Sequence, residues 1–140
     1  MQARIDVITL GVANLERSLA FYRALGVESQ GIIGTEFPGG TAAMFELDGG
    51  LILALYGRDD LEADANATFD APGRGEFSIG HLVASREEVD TVLVGAVAAG
   101  ATLTEEPRDR PWGIYSGYFR DPDGHLWEVI WNPRSAPALA

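Results

Sequence analysis

A chain of 140 residues is long enough for one domain with a real core and too short for two independent domains of ordinary size. Its 21 Asp and Glu against 10 Lys and Arg give a net charge of -11, which excludes phosphate backbones as natural partners, and the lack of Cys excludes disulfides, thiolate catalysis and cysteine metal sites. The longest apolar stretch, Leu51 to Tyr56, is far short of a membrane span, and the first residues run into a strand pattern without an apolar signal core, so a cytoplasmic protein with no membrane partner is expected.

In chain order, Ile5 to Val12 is strand-like, and Asn14 can cap a helix over Leu15 to Leu25 whose Leu15, Ser18, Leu19, Tyr22 and Leu25 form one face. Gly26 supplies a left-handed close. A loosely extended stretch, Glu28 to Phe37, precedes two strands, Ala42 to Leu47 and Leu51 to Tyr56, joined as a hairpin through Asp48-Gly49-Gly50. Residues 57–75 are rich in Asp, Ala and Gly and read as a solvated linker with at most one helical turn. The run Asp60 to Asn66 lacks the sixth-position Gly and closing Glu of a calcium loop.

The second half repeats the order. Phe77 to Ala84 is a strand, and Ser85 with Glu88 forms a capping box for a helix in which Val89, Val92, Leu93, Ala96 and Val97 fall on one stripe and which ends at Gly100. Ala101 to Thr104 is a short strand, and Tyr115 to Arg120 and Leu126 to Trp131 close a hairpin across Asp121-Pro122-Asp123-Gly124, where Pro presets φ and Gly accepts a positive one. The period is about 70 residues, so each half is one supersecondary unit, module one over 4–56 and module two over 76–133, with a Pro/Ala tail over 134–140.

One residue breaks the apolar pattern of the last strand. Alternation places Glu128 with Leu126 and Ile130, while Trp127, Val129 and Trp131 take the other face. A carboxylate among such neighbours costs several kcal/mol unless it is hydrogen-bonded, paired, metal-bound or protonated, so Glu128 is either satisfied structurally or is a site residue. Arg110 to Tyr118 brings Trp112, Tyr115 and Tyr118, whose flat faces suit a pocket wall or packing on a helix, and Phe37 and Met44 are the first-half candidates for the same wall.

The doubled strand-helix-three-strand plan, with Val-Ala-Asn-Leu-Glu-Arg-Ser-Leu-Ala-Phe-Tyr at residues 12–22 and Asp-Pro-Asp-Gly-His-Leu-Trp-Glu at 121–128, resembles the vicinal oxygen chelate superfamily. That group includes glyoxalase I, the bleomycin resistance proteins and extradiol dioxygenases. The resemblance implies an α+β fold of two βαβββ modules, curled into an eight-stranded mixed sheet that makes a cup, with the helices outside. It also implies a homodimer. Metal-dependent members take ligands from the first and last strand of each module, and here His81 and Glu128 match those positions in module two. Module one offers Val7, with Asp6 one residue off, and Leu53 or Ala54, none of which completes the set. No cofactor is therefore expected, and a divalent metal, if bound, would rest on His81 and Glu128. His125, an odd offset from Glu128, reads as a turn histidine.

Two functions follow from these residues. The first is binding of a small, partly aromatic organic molecule in the cup, with Glu128 and His81 as polar anchors and Trp112, Tyr115, Tyr118, Met44 and Phe37 as apolar contacts. The second is an enzyme of the lyase, isomerase or dioxygenase type, with Glu128 as general acid or base and His81 polarising a carbonyl, possibly aided by a divalent metal.

Overall fold

The computed structural model describes residues 1–134. Residues 135–140 of the expected tail lie outside the described residues. The chain packs as two compact units, residues 1–71 and residues 72 onward. The eight strands form two four-stranded mixed sheets, one in each unit and with the same strand order, the two βαβββ modules of the expected α+β fold.

The first unit holds β1 (Val7–Val12), α1 (Leu15–Ala24), β2 (Ile32–Ile33), β3 (Ala42–Glu46), β4 (Ile52–Gly57) and α2 (Arg58–Ala65). Asn14 caps α1 by accepting from the Arg17 amide at 3.0 Å, and Gly26 leaves the helix at φ 97°. The sheet runs β1-β4-β3-β2, with β1 parallel to β4. Register places Leu10 beside Leu55 and Leu53 beside Phe45, and these side chains with Leu19, Phe21 and Tyr22 of α1 make the core. The same register turns Thr9, Ala54 and Met44 to the other face.

The acidic stretch after β4 is more ordered than its composition implies. It forms α2, an eight-residue helix packed against β1 and β4, closed by Asn66 at φ 50°. Two residues account for this. Arg58 pairs with Glu62 one turn on at 3.7 Å, stacks over the Phe69 ring and donates to the Asp70 carbonyl, while Leu61 lies against Gly11. Charge counting registered the acids and not the one arginine and leucine that dock them.

The second unit holds β5 (Ile79–Leu82), α3 (Arg86–Ala99), β6 (Thr102–Asp109), a 3-10 turn at Pro111–Gly113, β7 (Tyr115–Arg120) and β8 (Leu126–Trp131). Ser85 Oγ accepts from the Glu88 amide at 3.1 Å, and Glu88 reaches back to the Ala84 amide at 3.2 Å, a shifted capping box. The sheet order is β5-β8-β7-β6, with β5 parallel to β8. Strand β6 runs well past the expected Thr104. It is an edge strand with register shifts on either side of Glu105, the setting in which Pro107 and a run of charges are tolerated. Val89, Leu93 and Ala96 of α3 pack with Val83, Phe119 and Val129, and Gly117 lets Leu93 approach so closely that a Cβ there would stand 2.6 Å from it.

The β7–β8 turn is held from several sides. Buried Asp121 accepts through Oδ1 from the amides of Asp123 at 2.9 Å and His125 at 2.8 Å, and Gly124 turns at φ 90°. Arg120 also donates to the Gly124 carbonyl at 2.6 Å, and Gly73 lies against Gly124 so that an added Cβ would meet its Cα at 2.7 Å. Gly124→Ala is therefore expected to cost about 1–3 kcal/mol, from the left-handed backbone and the collision together. Gly95→Ala, at an exposed α3 position where a Cβ meets nothing, is expected to stabilise by about 0.5–1 kcal/mol through helix propensity. Urea denaturation of both variants reads the opposite signs.

Candidate functional site

The hairpin register fixes which side chains meet. Tyr118 stands opposite Glu128 and Ser116 opposite Ile130, and on the parallel side Gly80 lies beside Glu128. Glu128, Tyr118 and Ser116 thus share one face of the sheet, and α3 packs on the other, where Gly117, Phe119 and Val129 point. Gly80, having no side chain, leaves space beside Glu128 that Ile130 borders.

On that face Glu128 is satisfied by hydroxyls. Ser116 Oγ, fully buried, donates to Glu128 Oε2 at 2.7 Å, and Tyr118 also hydrogen-bonds to the carboxylate. Arg110 reaches over from the loop before the 3-10 turn. Its Nε donates to Ser116 Oγ at 3.1 Å, its Nη2 to the Ser116 carbonyl at 3.2 Å, and its guanidinium lies 5.3 Å from the centre of the Tyr118 ring. Arg110, Ser116, Glu128 and Tyr118 form one connected polar cluster. Among the described residues no buried side-chain nitrogen or oxygen lacks a partner.

The repeat supplies an internal comparison. Val12-Ala13 before the cap Asn14 corresponds to Val83-Ala84 before the cap Ser85, and carrying that match through the two registers aligns Glu128 with Ala54, Tyr118 with Met44, Ser116 with Ala42 and His81 with Leu10. The fold therefore builds this face from Ala42, Met44 and Ala54 in one unit and from Ser116, Tyr118 and Glu128 in the other. The cluster is part-buried, with Ser116 fully buried beneath Glu128, Tyr118 and Arg110, and the sister unit has no counterpart to it.

The remaining expected site residues fall elsewhere. His81 pairs with Val129, one position away from the Gly80–Glu128 pair, so it points to the α3 side of the sheet, and it cannot share a cavity on one face with Glu128. The reason is the period of two, which the run Ile79-Gly80-His81-Leu82 leaves ambiguous because three of its four residues are apolar or glycine. Tyr115 is also on the α3 side, donating to Asp90 Oδ1 at 2.7 Å with the Arg86 guanidinium 4.9 Å from its ring centre, a helix-to-sheet clasp. Trp112 projects from the loop that carries Arg110, 78% exposed and at φ 66°, a left-handed conformation rare for a bulky residue. Phe37 and Met44 belong to the first unit, both exposed; Met44 borders a cleft of about 510 Å³ with Glu28, Gln30, Ile33 and Glu46.

Of the first-unit positions that the resemblance singles out, Asp6 is tied to Arg4 at 3.0 Å on the surface, Leu53 is core, and Val7 and Ala54 carry no donor. Of the four members of this cluster, Glu128 and Tyr118 are among the site residues expected from the sequence, and Ser116 and Arg110 are not. Ser116 was accessible in principle, since the turn at 121–124 sets the register and alternation then puts it with Tyr118; Arg110 was not, because only the folded loop returns it to β7.

The two-module α+β architecture defines a class, and the chain belongs to the glyoxalase/bleomycin resistance protein/dioxygenase superfamily, whose family model matches residues 4–129. It is 32% identical over 130 residues to the metallothiol transferase FosB of Shouchella clausii, covering 89% of this chain and 77% of that protein. Among solved structures it is similar to a glyoxalase-related enzyme from Fulvimarina pelagi, at 30% identity and a TM-score of 0.81 over 94% of this chain and 90% of that one. A superfamily member from Nocardioides matches at 26% identity and a TM-score of 0.74, covering 100% and 91% of the two chains. No described helix is long and apolar enough to cross a membrane.

Burial raises the Tyr118 phenol above the usual 10.0, the charge of Glu128 and the hydrogen bond to it raise it further, and Arg110 opposes them. A raised folded-state value stabilises the protein fully below pH 10.0, and that contribution is lost as pH rises through the folded value. Tyr118→Phe lacks it at every pH. The urea-midpoint difference between wild type and Tyr118→Phe is thus expected to shrink between about pH 8 and about pH 11. Tyr56 and Tyr115, also raised, are common to both proteins and cancel.

Proposed function

We propose that this protein binds a small, partly aromatic organic molecule on the Glu128 face of its second sheet and does so without a catalytic metal. The observation that carries this reading is the polar cluster of Glu128, Tyr118, Ser116 and Arg110 at positions where the sister unit has Ala54, Met44 and Ala42. Glu128 orients the guest by accepting from a ligand donor, Tyr118 supplies a flat contact, and the exposed indole of Trp112 gains by covering apolar ligand surface. His81 takes no part, since it lies on the opposite face.

The test is a thermal-shift screen of small aromatic compounds bearing one hydroxyl or amine, followed by calorimetry of the hits. Glu128→Gln keeps the shape and removes the charge, so hits are expected to weaken by about 1–3 kcal/mol, and EDTA is expected to leave the wild-type affinity unchanged. Equal affinity for Glu128→Gln would assign the carboxylate to structure alone.

The resemblance to a metallothiol transferase favours a second reading, a metal-dependent thiol transfer in which Glu128 contributes one ligand. The same calorimetry separates the two. Binding that collapses with EDTA and returns with a divalent metal supports the transferase.

We further propose that the protein works as a homodimer, the usual state implied by its superfamily, with the exposed edge strands covered by a second copy. Light scattering is expected to give about twice the 15.0 kDa chain mass at micromolar concentration. A mass of one chain across that range would overturn it.

A further inference from the structure

The cluster around Glu128 contains a second charge whose role the binding reading leaves open. Arg110 uses two of the five N–H donors of a guanidinium, both on Ser116, and the other three have no partner among the described residues. Among the described residues it has no ion pair, although the chain carries 21 acidic residues and Arg4, Arg58, Arg86 and Arg108 each reach a carboxylate. Arg110 is nonetheless held in place from two sides, by the bonds to Ser116 and by the Tyr118 ring beneath it.

The arrangement of the two charges is informative. Ser116 Oγ stands between them, accepting from Arg110 and donating to Glu128, and it is fully buried. Were neutralisation the only requirement, a direct Arg–carboxylate fork would be stronger and simpler. A hydroxyl spacer instead keeps cation and anion apart, each with unused hydrogen-bonding capacity, and fixes their orientation.

We propose that Arg110 reads an anionic group, so that the molecule held by Glu128 carries a carboxylate or similar oxyanion for Arg110 beside a hydroxyl or amine donor for Glu128. This rests on the binding reading above and narrows it to one ligand class. The unused edge of the guanidinium offers parallel donors that match two oxygens of one anion. Glu128 repels that anion and selects the end of the ligand that approaches it. In a protein of net charge -11, Arg110 supplies the local attraction without which an anion would be turned away.

The probes are 4-hydroxyphenylacetate and its neutral amide, 4-hydroxyphenylacetamide, titrated separately into the isotopically labelled full chain at about pH 7, where the acid is ionised. Amide resonances of Tyr118 and Glu128 report the site. The wild type is expected to bind the anion at least about tenfold more tightly than the amide, a preference that shrinks as salt is added. Arg110→Gln is expected to bring the ratio to about one while the amide still binds, and Arg110→Lys, which keeps the charge but not the planar fork, to keep part of the preference. A well-dispersed spectrum certifies that each variant is folded. Equal binding of the two probes by wild type, or a preference that survives Arg110→Gln, overturns the anion assignment and leaves the binding face standing. Binding of neither probe at those resonances overturns both.

Discussion

Asp121 is a small residue with a large consequence. Its buried carboxylate gathers the amides of Asp123 and His125, and with Gly124 at φ 90° it closes the β7–β8 turn in one register. Side chains on a strand alternate, so a slip of one residue would move Glu128, Tyr118 and Ser116 to the helix side and bring Phe119 and Val129 out. Every contact in the polar cluster therefore depends on the turn geometry, and so does the close seat of α3 over Gly117. The Gly73–Gly124 contact and the bond from Arg120 to the Gly124 carbonyl lock the same joint from outside the turn.

Duplication makes the molecule its own control. Both units build a parallel pair of first and last strands, an antiparallel third strand and a capped helix on one face. The buried helix-side positions are apolar in both units, with Phe45, Leu53 and Leu55 in one and Phe119 and Val129 in the other. The opposite face diverges. Ala42, Met44 and Ala54 need no partners, whereas the buried Ser116 needs them and finds them in Arg110 and Glu128.

The α3 side shows how aromatic residues serve architecture. Tyr115 bonds Asp90, Arg86 lies over both Tyr115 and Trp131, and Arg86 also reaches Asp109 at 2.7 Å. These groups join the helix to β6, β7 and β8. Tyr115 and Tyr118 sit three residues apart in one strand and do opposite jobs, because three is an odd number and the strand period is two.

Much of the architecture was legible in the chain. The cap at Asn14, the box at Ser85, the hairpin residues at 48–50 and 121–124 and the apolar alternation of β7 and β8 act over a few residues, and local chemistry decides them before any long-range contact forms. Glu128 was conspicuous for the same reason, as one carboxylate in an apolar strand. What the sequence left open depends on contacts between distant residues. Whether His81 faces Glu128 turns on the register of β5 against β8, across 47 positions of chain, and an apolar-and-glycine strand carries no signal for it. Helix α2 needed Leu61 to find Gly11, and Arg110 needed its loop to fold back on β7 before it could meet Ser116. Local sequence determined the strands, helices and turns of this protein, because propensity and capping energies are settled within a turn or two. Only tertiary structure decided which polar groups converge, because long-range register and loop return are set by packing energy summed over the whole unit.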